Sequence, residues 1–222
     1  MKILAFELSS ARGSIALLDS GERTRKASPP RTVQRSAPSP PAALLFSREW
    51  PNDRKNSGPF FEHLVEVQKQ FGKVGTIIVG LGPGSYAGTR IAISAAIGLQ
   101  TASQAGLVGF PSICAIECDT AEYCVIGDAR RQTFFFARVS DNNLIEGPDL
   151  MNEAELREKL DKIDKEMPIF TTEKPPQFER VKLSYPSANL LARLATDPKR
   201  SFMQEPLEPM YLREPHITIP RK

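Results

Sequence analysis

Gly80-Leu-Gly-Pro-Gly-Ser-Tyr-Ala-Gly-Thr-Arg-Ile91 is the segment from which the rest of the chain is read. Before it runs Val74-Gly-Thr-Ile-Ile-Val79, a β-branched apolar stretch that predicts a buried strand. After it, Ile91 to Gln104 is rich in Ala, Ile, Leu and Gln and free of proline, which predicts a helix. A strand, a loop of four glycines and a helix start form a place where backbone N–H groups can face an anion or a partner chain. The alternative is a tight turn whose glycines are purely structural.

Counting limits the chemistry. The phosphate loop of P-loop proteins needs G-x-x-x-x-G-K-[ST], and neither the spacing nor the lysine is present. Gly82, Gly84 and Ala87 match the dinucleotide pattern G-x-G-x-x-G/A, but Leu107 to Phe110 is apolar where that pattern requires an acid.

The chain has 222 residues, 41% hydrophobic and 25% charged, enough to bury a core in one large or two small domains. A net charge of +3 is too small to argue for nucleic acid by itself. Glu7 interrupts the apolar start too early for a signal peptide, and no run is long enough for a membrane span. A cytoplasmic location is expected. Cys114, Cys118 and Cys124 form no C-x-x-C pair and read as buried reduced thiols, the first two on one face of a helix from Ser112 to Ala121. His63 and His216 are distant in sequence, so no zinc set is expected.

Lys2 to Leu8 and Ser14 to Leu18 predict a hairpin around the turn Ser9 to Gly13, and Leu44 to Trp50 a third strand. Between them, residues 20–43 combine Arg23, Arg25, Lys26, Arg31 and Arg35 with five prolines, and predict a solvated insertion. Pro59 to Phe71 predicts a helix capped by Asn56 or Ser57, with Phe60, Leu64, Val67 and Phe71 on one face and Phe61 and Val65 widening it. The helix after the glycines carries many small residues, which suit close packing on a sheet or on a second subunit. Leu107–Phe110, Tyr123–Gly127, Thr133–Val139 and Ile169–Thr171 predict strands, and Asn152–Leu160 and Ser187–Thr196 helices. This order predicts an α/β chain of two related halves, residues 1–105 and 106–222.

Four stretches carry a family likeness. They are Ile3-Leu-Ala-Phe-Glu-Leu-Ser-Ser10 with Ser14-Ile-Ala-Leu-Leu18, then Val79 to Ile91, then Asp128-Ala-Arg-Arg131, and Met210-Tyr-Leu-Arg-Glu-Pro215. In that order they resemble the TsaB (YeaZ) family, over the whole chain apart from residues 20–43. The resemblance implies an actin/Hsp70-like fold of two ribonuclease-H-like halves, with mixed sheets flanked by helices. It also implies a non-catalytic role in tRNA threonylcarbamoyladenosine modification. Members pair with the paralogue TsaD, which holds the metal and active site, and the ATPase TsaE joins them. Threonylcarbamoyl then passes from its adenylate to the tRNA adenosine 3′ of the anticodon. tRNA is met indirectly through the complex, and a homodimer is expected when the protein is alone.

The resemblance places the pairing surface on the two first-half helices, at Phe60, Leu64, Val67, Arg90, Ser94, Ala95 and Gly98. A charge at Ala96 is then expected to weaken association without unfolding. Glu7, Ser9, Ser10, Gly82, Gly84 and Ser85 form a candidate nucleotide or anion loop, with no intrinsic cofactor or metal and with ATP or ADP at the partner interface. The chain departs from the family in having Glu7 for Asp, Asn56-Ser57 for His-Ser, and Tyr86-Ala87 for Phe-Thr. The competing reading is an actin-fold ATPase or small-molecule kinase acting alone, with Ser9, Ser10 and Gly13 as phosphate loop and Glu7 on magnesium.

Overall fold

The computed structural model describes residues 1–21, 42–52, 57–173, 178 and 180–213. Residues 22–41 and Asn56 lie outside these, and with them most of the predicted insertion and one of its neighbouring cap candidates. The remaining cap, Ser57, makes no side-chain capping bond.

The first half runs β1 (Lys2–Glu7), β2 (Arg12–Asp19), β3 (Ala43–Pro51), α1 (Gly58–Phe71), β4 (Thr76–Gly80), α2 (Tyr86–Ser103) and β5 (Gly106–Phe110). A 3-10 turn, Ser112–Ala115, leads to the second: β6 (Glu122–Asp128), β7 (Thr133–Ser140), β8 (Asn143–Asn152), α3 (Glu153–Asp161), β9 (Ile169–Thr171), β10 (Val181–Leu183) and α4 (Ala188–Leu194). The sheets are ordered β3-β2-β1-β4-β5 and β10-β9-β6-β7-β8. Read from the first strand of each half, the two orders are the same. Both start with an antiparallel three-strand meander, and then add two strands in parallel on the far side. The sheet order therefore repeats, and β5 pairs with β4 in the first sheet.

Alternation along β1 explains the layering. Leu4 and Phe6 face α1 and α2, with Phe60, Leu64, Val67, Ala92 and Ala96 over them. Ile3 and Ala5 face the other way, onto Tyr123, Val125, Ala137 and α4. Helix α4 follows β10 in sequence yet packs on β1 and β2, where the Ser14 hydroxyl accepts the Ala188 N–H at 2.9 Å. Helix α3 covers the outer face of the second sheet through Leu156 and Leu160. The helix is started by a reciprocal cap between Asn152 and Glu155.

Three sequence expectations change. The helix expected over Ser112–Ala121 stops after Ala115, because its carbonyls have other partners. Ile113 O accepts from the Tyr123 hydroxyl, Cys114 O from Asn142, and Ala115 O from Ser187 N–H. Cys114 and Cys118 thus share no helical face; Cys114 and Cys124 are buried, while Cys118 is partly exposed. Burial pushes the Cys114 thiol up to about 12 and the Cys124 thiol up to about 11, which keeps both protonated and unreactive. The second change is β8, which carries Gly147-Pro148 and little periodicity, and is held as a strand by pairing with β7. Third, α2 begins five residues before the expected Ile91, with Ser85 as its cap.

Candidate functional site

The corresponding turns of the two halves, Leu8–Ala11 and Ala129–Gln132, face each other across a cleft. One cavity there, of about 490 Å³, lies between Ser85, Tyr86 and Thr89 on one wall and Asp128 and Arg130 on the other. A second, of about 330 Å³, is lined by Ser9, Ser10, Asn52, Ser85, Arg130 and Thr172 among others. Asn52 holds the first turn in shape, its side-chain amide donating to Leu8 O at 3.1 Å and Ser10 O at 2.9 Å. The Ser10 hydroxyl donates to Arg12 O at 2.9 Å. On the opposite wall, Arg130 is paired with Asp128 at 3.2 Å and Glu173 at 3.8 Å.

The structure brings Ser9, Ser10, Gly84 and Ser85 to the wall of the second cavity, while Glu7 and Gly82 line neither. Several amides that were to face an anion are already spent on the protein itself. Gly82 N–H donates to the Ser112 hydroxyl at 2.8 Å, Ser85 N–H to Ser9 O at 2.5 Å, and Gly88 N–H to the Ser85 hydroxyl at 3.2 Å. The glycines allow this contact. A Cβ at Gly84 would stand 2.1 Å from Ser9 O, and one at Gly88 2.0 Å from Leu8 O. The glycine segment is a ledge locked onto the first turn.

Glu7 is corrected as a metal-facing residue. It is completely buried and lines neither cavity. One carboxyl oxygen, Oε1, accepts Ser9 N–H at 2.7 Å, and the other makes no hydrogen bond. Burial raises its pKa from the ordinary 4.5, partly opposed by the Ser9 and Ser112 groups around it. A carboxyl sealed away from both cavities does not fit a magnesium ion bound in the cleft. Because the folded-state pKa is raised, the contribution of Glu7 to stability is full below pH 4.5 and is lost as the pH rises through the folded value. The neutral isostere Glu7→Gln should therefore match the wild type in acid and melt increasingly above it as the pH rises past 4.5. Thermal melts at four pH values check this, and parallel curves would contradict it.

Of the residues expected on a pairing surface, Arg90, Ser94 and Gly98 are exposed on α2 and Ala95 is half-buried. Phe60, Leu64 and Val67 are corrected: they are core residues beneath α1. Ala96 is also fully buried. The outward apolar residues are their neighbours Phe61 and Val65 on α1, and Tyr86 and Ile97 on α2, each 44–49% exposed. The two helices share one face of the first sheet. Between their C-terminal halves lies a groove of about 250 Å³ lined by Val67, Gln68, Leu99 and Ala102.

Sequence reasoning left Asn52, Arg130, Thr172, Glu173 and Tyr211 off the site. The signal for two of them was present, since the Asp128–Arg131 and Met210–Pro215 stretches carry the family likeness. His63 lies against Trp50 at 5.2 Å and beside Glu66 at 3.6 Å, and lines neither cleft cavity. Among the described residues, no three His, Cys, Asp or Glu side chains gather as a metal set.

Comparisons agree with this architecture. The chain resembles the crystal structure of an uncharacterized protein with similarity to peptidase YEAZ from Pseudomonas aeruginosa. That match has 18% identity and a TM-score of 0.66, covering 96% of this chain and 99% of the other. It likewise resembles YeaZ from Pseudomonas aeruginosa, at 19% identity and a TM-score of 0.63, over 95% and 100% of the two chains. These likenesses show the fold, an actin/ribonuclease-H-like one of two mixed sheets flanked by helices. No curated protein matches by sequence. Residues 58–205, more than half of the chain, match the family described as TsaD: tRNA N6-adenosine threonylcarbamoyltransferase, and the chain belongs to that family.

Proposed function

We propose that the chain is a non-catalytic, TsaB-type scaffold subunit. In this reading it pairs with a TsaD paralogue, is joined by the ATPase TsaE, and supports transfer of threonylcarbamoyl from threonylcarbamoyl-AMP to the tRNA adenosine 3′ of the anticodon. The observation that carries it is the state of the cleft. Glu7 is sealed beneath it, and the glycine ledge above is bonded to the protein's own acceptors. The residues that an actin-like enzyme would use on a metal and phosphates hold the structure together instead.

The outer face of α1 and α2 supports the partner half of the reading. Phe61, Val65, Tyr86 and Ile97 leave apolar area in water, and Ser94, Ala95 and Gly98 are small enough for another helix to approach closely. Any ATP or ADP belongs in this reading at the partner interface, and tRNA is reached through the complex. The same surface accounts for a homodimer when the protein is alone. A cytoplasmic site of action goes with this role, and no helix among the described residues is long and apolar enough to cross a membrane.

The competing reading, an actin-fold ATPase or small-molecule kinase, draws on the cleft itself, which has turns from both halves on its walls. Light scattering on a size-exclusion column separates the two. Mixed with the TsaD of the same cell, the chain is expected to move from a homodimer into a one-to-one complex. ATP turnover by the isolated chain that Glu7→Ala abolishes, with no complex at concentrations well above micromolar, would overturn the scaffold role.

A further inference from the structure

After α4 the chain turns back over the first half. Met203 pairs antiparallel with Gly109, by bonds of 2.9 and 3.0 Å, and so extends the first sheet past β5. Leu207 is buried in the core of the first half, beside Gly109 of β5, and Met210 N–H donates to Leu81 O at 2.7 Å. The Tyr211 ring then lies 5.4 Å from the ring of Tyr86, at 31°. Two residues later the segment reaches the other half. The Arg213 guanidinium donates to the Thr133 hydroxyl and to Arg130 O, the latter at 3.5 Å.

The receiving turn is unusual. Arg130, Arg131 and Gln132, none of them glycine, have φ of 66°, 54° and 59°, a left-handed backbone that L-residues rarely adopt in succession. Such a turn keeps its shape only where surrounding bonds over-determine it. Here Arg130 N–H is held by Asp128 at 2.7 Å, and Arg130 O accepts from the Thr133 amide and hydroxyl at 3.1 and 2.7 Å. Arg213 ties into the same carbonyl and the same hydroxyl.

We infer that residues 207–213 form a strap across the mouth of the cleft, anchored on Leu81 and Tyr86 of the first half and latched by Arg213 onto the β6–β7 turn of the second. The strap supplies one wall of the 490 Å³ cavity, and its two anchors tie the walls of the cleft to each other. Its near anchor, Tyr86, is half exposed on α2 and carries the Arg90 guanidinium 4.8 Å over its ring. The strap is therefore reachable from the outer face of α2, and this inference stands whether or not that face binds TsaD.

Hydrogen exchange on the full chain tests it, comparing wild type with Arg213→Ala, Arg213→Lys and Tyr211→Ser. Arg213→Ala should raise exchange at least tenfold in residues 128–133 and 207–213, while β1 and β4 keep wild-type rates. Arg213→Lys, which restores a donor, should recover part of the protection, and Tyr211→Ser should loosen the same two segments from the other end. Rates in 128–133 within twofold of wild type in both Arg213→Ala and Tyr211→Ser would overturn the latch. So would a general loss of protection reaching β1 and β4, which would make the segment ordinary core packing.

Discussion

Replacing Ile97 by glutamate is expected to leave the fold intact and to weaken association with a TsaD partner by at least about 30-fold, the size of one interface hot spot. Ile97 is 44% exposed, and surface substitutions usually stay within about 0.5 kcal/mol of wild type in stability. The charge would sit on the apolar outer face of α1 and α2, where it has to be desolvated when a partner docks. Ala96→Glu, one residue away, should behave in the opposite manner. Ala96 is fully buried among Leu4, Phe6, Ile77 and Val79, so a carboxylate there costs several kcal/mol in desolvation and overpacks the space between α2 and the sheet. Against a total stability of about 5–15 kcal/mol, that is enough to unfold much of the protein at physiological temperature. Calorimetry together with size-exclusion light scattering on both variants checks the pair. If Ile97→Glu binds TsaD normally, the pairing surface lies elsewhere.

A second contrast lies within α2 alone. Gly88→Ala is expected to cost about 3 kcal/mol or more, the upper range for forcing atoms into a packed site, and to lower Tm by about 6–12 °C in a chain of this size. The new methyl would stand 2.0 Å from Leu8 O and 3.1 Å from its carbon. Both are backbone atoms of the turn that Asn52 and the ledge already pin, so neither can swing aside. Gly98→Ala, ten residues on, meets nothing within 4 Å. It should raise stability by about 0.5–1 kcal/mol, because alanine is the better helix former. Equal melting of the two variants would show that the ledge is not locked to the first turn.

The parts of this fold that are legible in the sequence are those where local pattern and tertiary packing agree. The β1–β2 hairpin, β4, the body of α2 and the capped α3 all read correctly, because the apolar runs there are also the buried faces. The strand β8 is hidden, since Gly147 and Pro148 break any alternation and pairing with β7 alone keeps it extended. The residues after Ala115 read as helix from their composition, yet their upstream carbonyls are taken by Tyr123, Asn142 and Ser187, which are distant in sequence. The site shows the same division. Ser9, Ser10, Gly84 and Ser85 line one cleft cavity. That Glu7 is sealed rather than presented, and that Phe60, Leu64 and Val67 turn inward, depends on which layer covers each face. One strand or helix does not carry that information.

The placement of α4 has a consequence for how the protein is made. The inner face of the first sheet, with Ile3, Ala5, Ala16 and Leu18, is covered in part by Ala188, Leu191 and Ala192. At translation rates of about 5–20 residues per second, roughly 4–17 s separate the emergence of Phe110 from that of Leu194. Throughout that interval the nascent first half holds all five of its strands and lacks the helix that shields them. The ribosome-bound chain thus leaves part of that apolar face without its cover until α4 has appeared.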